Sequence, residues 1–229
     1  RRAGAAAAHL SYTGPSLLSS CMFFDVDTQE VSGKSSSKSN PDEAVFCVNL
    51  LEVLVAEAFR LNKGHLGSIG IITPYQEQLS VLHNKCEERR LVSGNKLALL
   101  PCMQGGGDSS VSGGGLLDIE LNTVDGFQGR EKDFIIISTV RANDQGNIGF
   151  LSDKRRLNVA MTRPKWALFV VGKANTLRGD RNWGAFLRHC DVKRQIVQAS
   201  PHADLFSLLQ DSFVFEPAEA DHIAKRSRF

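Results

Sequence analysis

The chain has 229 residues, enough for one substantial core, and 42% of them are hydrophobic, an ordinary globular share. Its formal net charge of +2 argues against a strongly basic surface overall and leaves only a local basic patch open. No apolar run approaches a membrane span, RRAGAAAAHL at the start lacks the apolar stretch of a secretory signal, and Cys21, Cys47, Cys86, Cys102 and Cys190 lack the C-x-x-C spacing of a zinc site or redox pair.

In chain order, CMFFDV at 21–26 reads as a short buried strand, and SGKSSSKSNP at 32–41 as a polar linker. A long helix follows. Asn40 is its expected cap, Pro41 its first residue and Glu43 its capping-box carboxylate. Ala44, Val48, Leu51, Val55 and Phe59 recur at helical spacing, and Gly64 offers a stop. SIGIIT at 68–73 is the next strand; Pro74 breaks it, and residues 75–90 have helical character. QGGGDSSVSGGG at 104–115 reads as a disordered surface insertion. DIELNTV at 118–124 and DFIIIST at 133–139 are strands, and residues 152–163 a short helix capped by Ser152. WALFVVG at 166–172 is a strand, and 181–190 a helix with Trp183, Phe186 and Leu187 on its apolar side. This divides the chain into a flank at 1–20, a domain at 21–200 and a C-terminal helix with a loosely ordered tail at 201–229. The reduced state of scattered cysteines suits the cytosol or nucleus, and a start at Arg1 reads as a piece of a longer protein.

Strands that are apolar nearly throughout, alternating with helices, predict an α/β domain: a parallel β-sheet with helices on both faces. Ligands of such sheets sit beyond the C-terminal ends of the strands. Two polar segments, TPYQEQ after Ile72 and DGFQGREK after Val124, are expected at that edge.

Several motifs fail on inspection. GKSS at 33–36 lacks the first glycine of a phosphate loop, where Thr28 stands, and no apolar helix follows. MFFDVD imitates a magnesium-binding strand end, but Val26 replaces the expected glutamate, so Asp25 reads as a strand-end residue. The glycines at 105–107 and 113–115 have no lysine partner, and no GxGxxG, HExxH or GxSxG occurs.

Three segments, in order, resemble superfamily 1 helicases of the senataxin and nonsense-decay-helicase group: IGIITPYQEQ (69–78), NTVDGFQGREKDFIIISTVRAN (122–143) and IGFLSDKRRLNVAMTRPKWALFVVG (148–172). The last two are similar to motifs V and VI of that family. The resemblance implies the second of two RecA-like domains, with ATP and Mg²⁺ held mainly by the first, whose phosphate loop, metal-binding aspartate and catalytic glutamate are not in these 229 residues. It also implies residue roles. Arg163 resembles the motif VI arginine finger, the catalytic residue that stabilises charge on the γ-phosphate. Gln128, Gly129 and Glu131 are implied nucleotide contacts along with Arg163. Glycine permits close backbone approach, and a carboxylate accepts from ribose hydroxyls. Thr73, Pro74, Tyr75, Gln78 and Thr123 are candidates to contact nucleic acid. Tyr75 is open to two readings, stacking on a base or packing at the helix entry. Arg155 and Arg156 are candidates to brace motif V, and Arg141 and Asn143 to link the two ligand sites. No metal ligand is assigned.

One departure stands out. Pro164 follows Arg163 where the family usually has alanine, and proline pushes the preceding residue out of helical geometry. That fits only a helix ending there.

The implied function is the C-terminal motor domain of an ATP-dependent RNA/DNA helicase. Its partners would be single-stranded RNA or DNA, with an RNA–DNA hybrid allowed, and the N-terminal RecA-like domain. The alternative is a non-catalytic module that binds nucleic acid or a partner. The likeness to senataxin, with the basic AKRSRF ending, favours a nuclear over a cytoplasmic residence.

Overall fold

Every strand of the main sheet runs the same way. The computed structural model describes residues 20–33, 37–61, 67–93, 96–97 and 118–206. Its elements begin with β1 (Cys21–Val26), the short arms β2 (Val31–Ser32) and β3 (Lys38–Ser39), helix α1 (Pro41–Leu61), β4 (Ser68–Thr73) and α2 (Gln76–Glu88). Next come β5 (Val92–Ser93), β6 (Lys96–Leu97), β7 (Asp118–Thr123), β8 (Lys132–Ser138) and a 3₁₀ turn, Gly149–Ser152. Then follow α3 (Lys154–Met161), β9 (Pro164–Gly172), α4 (Ala174–Leu177), α5 (Arg181–Val192) and β10 (Ile196–Ala199).

The six-stranded sheet has the order β10-β1-β9-β8-β4-β7. Alternation of side chains along each strand supplies two cores. Met22, Phe24, Ile69, Ile71 and Phe169 face α1 and α2. Phe23, Ile72, Ile135, Ile137 and Val170 face Trp183 and Leu187 of α5 with Ala160 of α3. This is the RecA-like α/β arrangement, with helices on both faces.

Local chemistry departs from expectation at several points. The linker expected at 32–41 contains an antiparallel pair, with Val31 opposite Ser39. β10 was not expected; IVQA is too short to read as a strand until β1 pairs with it, Phe24 opposite Val197. Ser152 does not cap α3. Asp153 does, its carboxylate accepting from the amides of Arg155 at 2.9 Å and Arg156 at 3.4 Å, while Ser152 closes the preceding turn. Pro164 opens β9, two residues after the Thr162 C-cap of α3, so the helix has ended before proline matters. Asp25 is a strand-end residue in fact. It accepts from the Ala174 amide at 2.8 Å and from Gln198 Nε2 at 3.0 Å, tying β1 to α4 and β10. Packing continues past residue 200, because Ala203 and Leu205 are buried in the first core. The insertion at 104–115, the flank before Ser20 and the tail from residue 207 lie outside the described residues. No described helix is long and apolar enough to cross a membrane.

The connection from β7 to β8 positions the site. Both strands are parallel to β4, which lies between them, so residues 124–131 must carry the chain from one edge of the sheet to the other. Parallel crossovers usually take a dozen or more residues with a helix. Here a tight series of turns serves, with the Phe127 amide bonded to Thr123 O at 3.0 Å and the Arg130 amide to Phe127 O at 3.1 Å. So short a strap has to lie flat on the sheet. It does so over Gly70, where an added Cβ would stand 2.6 Å from the fully buried Phe127 ring and 2.8 Å from Ile135 Cδ1.

Gly70→Ala is therefore expected to lower stability by about 1–3 kcal/mol through overpacking, measured as the denaturant midpoint. Adding Phe127→Leu should return part of that loss. A midpoint unmoved by Gly70→Ala would contradict this account of the strap.

Candidate nucleotide and nucleic-acid site

The strap separates the candidate residues into two groups. Thr123 ends β7 and Thr73 ends β4, side by side in register at the C-terminal edge. Glu131 immediately precedes β8 and Arg163 immediately precedes β9, whose first residues Lys132 and Pro164 are paired at the N-terminal edge. The polar loop thus begins at the edge expected for it and ends at the opposite one.

At the N-terminal edge Arg163 is held on three sides. Its Nε donates to Val159 O at 3.0 Å, Nη1 to Arg130 O at 3.2 Å and Nη2 to Thr162 Oγ1 at 2.9 Å. The first bond satisfies a carbonyl at the end of α3, and the second joins α3 to the strap. A guanidinium carries two N–H groups on each terminal nitrogen, so one on each remains for a ligand. The fork is aimed by its own helix end. Gly129 has φ +79°, the left-handed region glycine favours, and a Cβ there would meet nothing within 4 Å. The backbone beside Arg163 is thus open to a bulky anion. Gln128 and Glu131 are exposed on the same segment.

The cations adjacent to Glu131 in sequence are committed elsewhere. Arg130 pairs with Glu120. Lys132 pairs with Asp118 at 2.6 Å and Glu120 at 3.1 Å. Burial opposes the Lys132 charge, but these two carboxylates hold its pKa above the usual lysine value. Among the described residues none pairs with Glu131, which is exposed to solvent or a ligand.

The C-terminal edge differs more from expectation. Gln78 and Thr73 are fully buried and Tyr75 is 3% exposed, so their side chains do not reach the surface. Pro74 and Thr123 are half-buried. Gln78 is a structural tie. Its Oε1 accepts from the Asn40 amide at 2.7 Å, and its Nε2 donates to Asn40 O at 3.1 Å and Ser138 Oγ at 2.9 Å. Tyr75 packs rather than stacks. Its ring lies 5.6 Å from that of Phe150, and its hydroxyl accepts from Arg141 Nη1 at 3.4 Å. The contact roles expected for Gln78 and Tyr75 give way to support of the surface above them.

That support centres on two carboxylates the sequence reading did not place here. Glu30 accepts from Arg141 Nε at 2.8 Å, the Ala142 amide at 3.0 Å and Asn143 Nδ2 at 2.9 Å. Burial works against its charge, yet these donors hold its pKa below the ordinary value. Arg141 and Asn143 thus brace the C-terminal edge. Glu43 does cap-adjacent work of another kind. Asn40 Oδ1 accepts from the Glu43 amide at 3.1 Å, half of the expected capping box. The carboxylate does not return to Asn40, whose amide Gln78 has taken. It accepts instead from Ser138 Oγ at 2.6 Å and from the amide of Val140, a residue with φ +70°, at 2.8 Å. Arg156 braces the strap, with Nε 3.1 Å and Nη2 2.8 Å from the two oxygens of Asp125, a bidentate pair. Arg155 makes no comparable side-chain contact among the described residues.

Complete burial pushes the Glu43 carboxyl from 4.5 up to about 8, against the opposing hydrogen bonds from Ser138 and Val140. Across that interval the folded chain keeps a proton that the unfolded chain releases. Stability from this group is full below the unfolded value and is lost as pH rises through the folded one. The melting temperature should fall from about pH 5 to about pH 8, and Glu43→Gln should flatten the fall. An equal slope in the variant would show that Glu43 does not titrate there.

With this geometry in place, the likeness to known proteins is specific. A protein-family model described as an AAA domain matches residues 4–175. Regulator of nonsense transcripts 1 of Dictyostelium discoideum is 37% identical over 174 residues, covering 76% of this chain and 11% of that protein. Helicase sen1 of Schizosaccharomyces pombe is 35% identical over 181 residues, 79% of this chain and 9% of that protein. ATP-dependent helicase NAM7 of Saccharomyces cerevisiae is 34% identical over 172 residues, 75% of this chain and 15% of that protein. The chain therefore spans a small fraction of the relatives it matches. It belongs to this AAA-domain family, within the senataxin and nonsense-decay group of superfamily 1 helicases.

Proposed function

We propose that this chain is the second RecA-like half of an ATP-dependent helicase, which completes an ATP site at its N-terminal edge and holds single-stranded RNA or DNA at its C-terminal edge. The observation that carries the reading is the division of the candidate residues between opposite edges, with one strap touching both.

In this reading ATP and Mg²⁺ are held mainly by the preceding domain, as in the family pattern. The triphosphate supplies the bond that is broken. This chain's part is to close on it. Arg163 presents its two remaining N–H groups to the γ-phosphate, where charge spreads in the transition state. Gly129 admits the phosphates to the backbone, and Glu131 and Gln128 accept or donate to the remaining polar groups of the nucleotide. Thr123 and Pro74 stand at the other end of the strap. Gly129 and Thr123 lie on one short strap seated by Phe127, which joins closure on the nucleotide to contact with the strand. Grip on the strand would then alternate with the state of the nucleotide. Nuclear residence belongs to the same proposal.

A binding module without hydrolysis is the second reading. One experiment separates the two. In the full-length protein, Arg163→Ala should reduce ATP turnover by roughly 10³–10⁵ and leave strand binding nearly unchanged. Arg163→Lys should not rescue it, because a point charge cannot reproduce the fork. Near-normal turnover in Arg163→Ala would overturn the motor reading, and a wild-type protein that binds strands without hydrolysing ATP would favour the module.

A further inference from the structure

Phe150 stands out on the C-terminal edge. It is 56% exposed, although the buried Ile148 and Leu151 anchor its turn on either side. Exposed phenylalanine on an otherwise well-packed domain is informative when its ring is held in place. This one is. Tyr75 packs against it at 5.6 Å with the rings tilted by 48°, and the Arg156 guanidinium lies 5.5 Å from its centroid. Both supports are themselves fixed, Tyr75 by Arg141 and Arg156 by the bidentate pair with Asp125. The residue before it, Gly149, has φ +53°, and a Cβ there would fall 2.3 Å from Arg141 Nη1 and 2.9 Å from the Tyr75 hydroxyl. The backbone is pressed onto the Tyr75–Arg141 pair, and the Phe150 ring is turned outward.

The surroundings match a nucleic-acid strand. Beside the ring is an apolar cleft between Pro74, Val124, Leu151 and Trp183. Pro74 and the strap that starts at Val124 flank the half-buried Thr123 hydroxyl. Lys154 and Arg155, both exposed, follow at the start of α3 and complement phosphate charge. An apolar ring with cations close by is the combination that sequence-tolerant strand binders use, because every base has a π-face and every linkage a charge.

We propose that Phe150 is a base-stacking platform, held up by Tyr75 and Arg156, that takes one unpaired base of the bound single strand. The proposal rests on the reading of the C-terminal edge as the strand-binding surface and adds the residue that meets the base. Tyr75, the aromatic that the sequence brings to mind for this task, lies one layer beneath.

The test is equilibrium binding of fluorescent oligo(U) and oligo(dT) to the full-length protein and to Phe150→Ala, Phe150→Leu and Phe150→Trp. Because Phe150 is more than half exposed, thermal melting should show all three folded. Phe150→Ala and Phe150→Leu should bind about tenfold more weakly, the scale of one lost base stack, and Phe150→Trp should retain affinity. An oligonucleotide of the same length with abasic sites should bind wild type and Phe150→Ala alike. Oligo(U) and oligo(dT) should respond equally, since stacking ignores the ribose hydroxyl. Equal affinity of wild type and Phe150→Leu for oligo(U) and oligo(dT) would overturn the platform while leaving the strand-binding surface standing, and so would an equal loss on the abasic strand. A wild-type protein that binds no single strand would overturn the reading beneath it as well.

Discussion

The contact between Phe127 and Gly70 is the constraint on which the site depends. A strap from β7 to β8 has to cross β4, and it can lie close only where β4 has no side chain to oppose it. The Phe127 ring fills that gap and is completely buried. Once the ring is seated, both ends of the strap are determined. Thr123 is left at one edge of the sheet, and Gly129, Arg130 and Glu131 at the other. Arg163 then finds its place by donating to Arg130 O. A buried aromatic thus sets the distance between two surfaces that share no side chain.

Electrostatics complete the arrangement by deciding which charges are spent internally. Arg130 and Lys132 are absorbed by Glu120 and Asp118, and Arg156 by Asp125. Among the described residues, Arg163 alone of this group gives its bonds to neutral oxygens and has no carboxylate to neutralise it. On the opposite edge, Glu30 pairs with Arg141, and the buried Glu43 carboxyl accepts from Ser138 and the Val140 amide, both holding the loop after β8. The exposed pairs, Arg130 with Glu120 and Arg156 with Asp125, contribute little stability each. Their effect here is to select which groups stay available.

Much of the fold was legible because its signals are local. The apolar runs at 21–26, 68–73 and 133–139 could be little else but buried strands, and Asn40-Pro41 marks a helix start without reference to the rest of the chain. The two caps that departed from expectation did so for different reasons, one local and one distant. Ser152 lost its place to Asp153, whose carboxylate is the stronger acceptor one residue on. Glu43 was drawn from its capping box by Ser138 and Val140, far along the chain, after Gln78 took the Asn40 amide. β10 depends on β1 for its existence. For the site, motif spacing singled out Arg163, Gly129 and Glu131 as candidates, but neither the N-terminal edge on which they meet nor burial was readable from it. Gln78 and Tyr75 look like surface polar groups at a helix entry until Ser138 and Arg141 fold over them. Phe150, in GFLSD, carried no signal of exposure; only the left-handed Gly149 before it hints at a turn that aims the ring outward.

The central claim is that nucleotide and strand occupy opposite edges joined by the strap. The most direct measurement is paired photocrosslinking of the full-length protein, with an ATP analogue reactive at the γ-phosphate and an oligonucleotide carrying 4-thiouridine, followed by peptide mapping. The account predicts γ-phosphate crosslinks at 128–131 and around Arg163, and strand crosslinks at 73–75, 123–125 and 149–156. Both probes labelling the same edge, or the strand labelling the segment around Arg163, would contradict it.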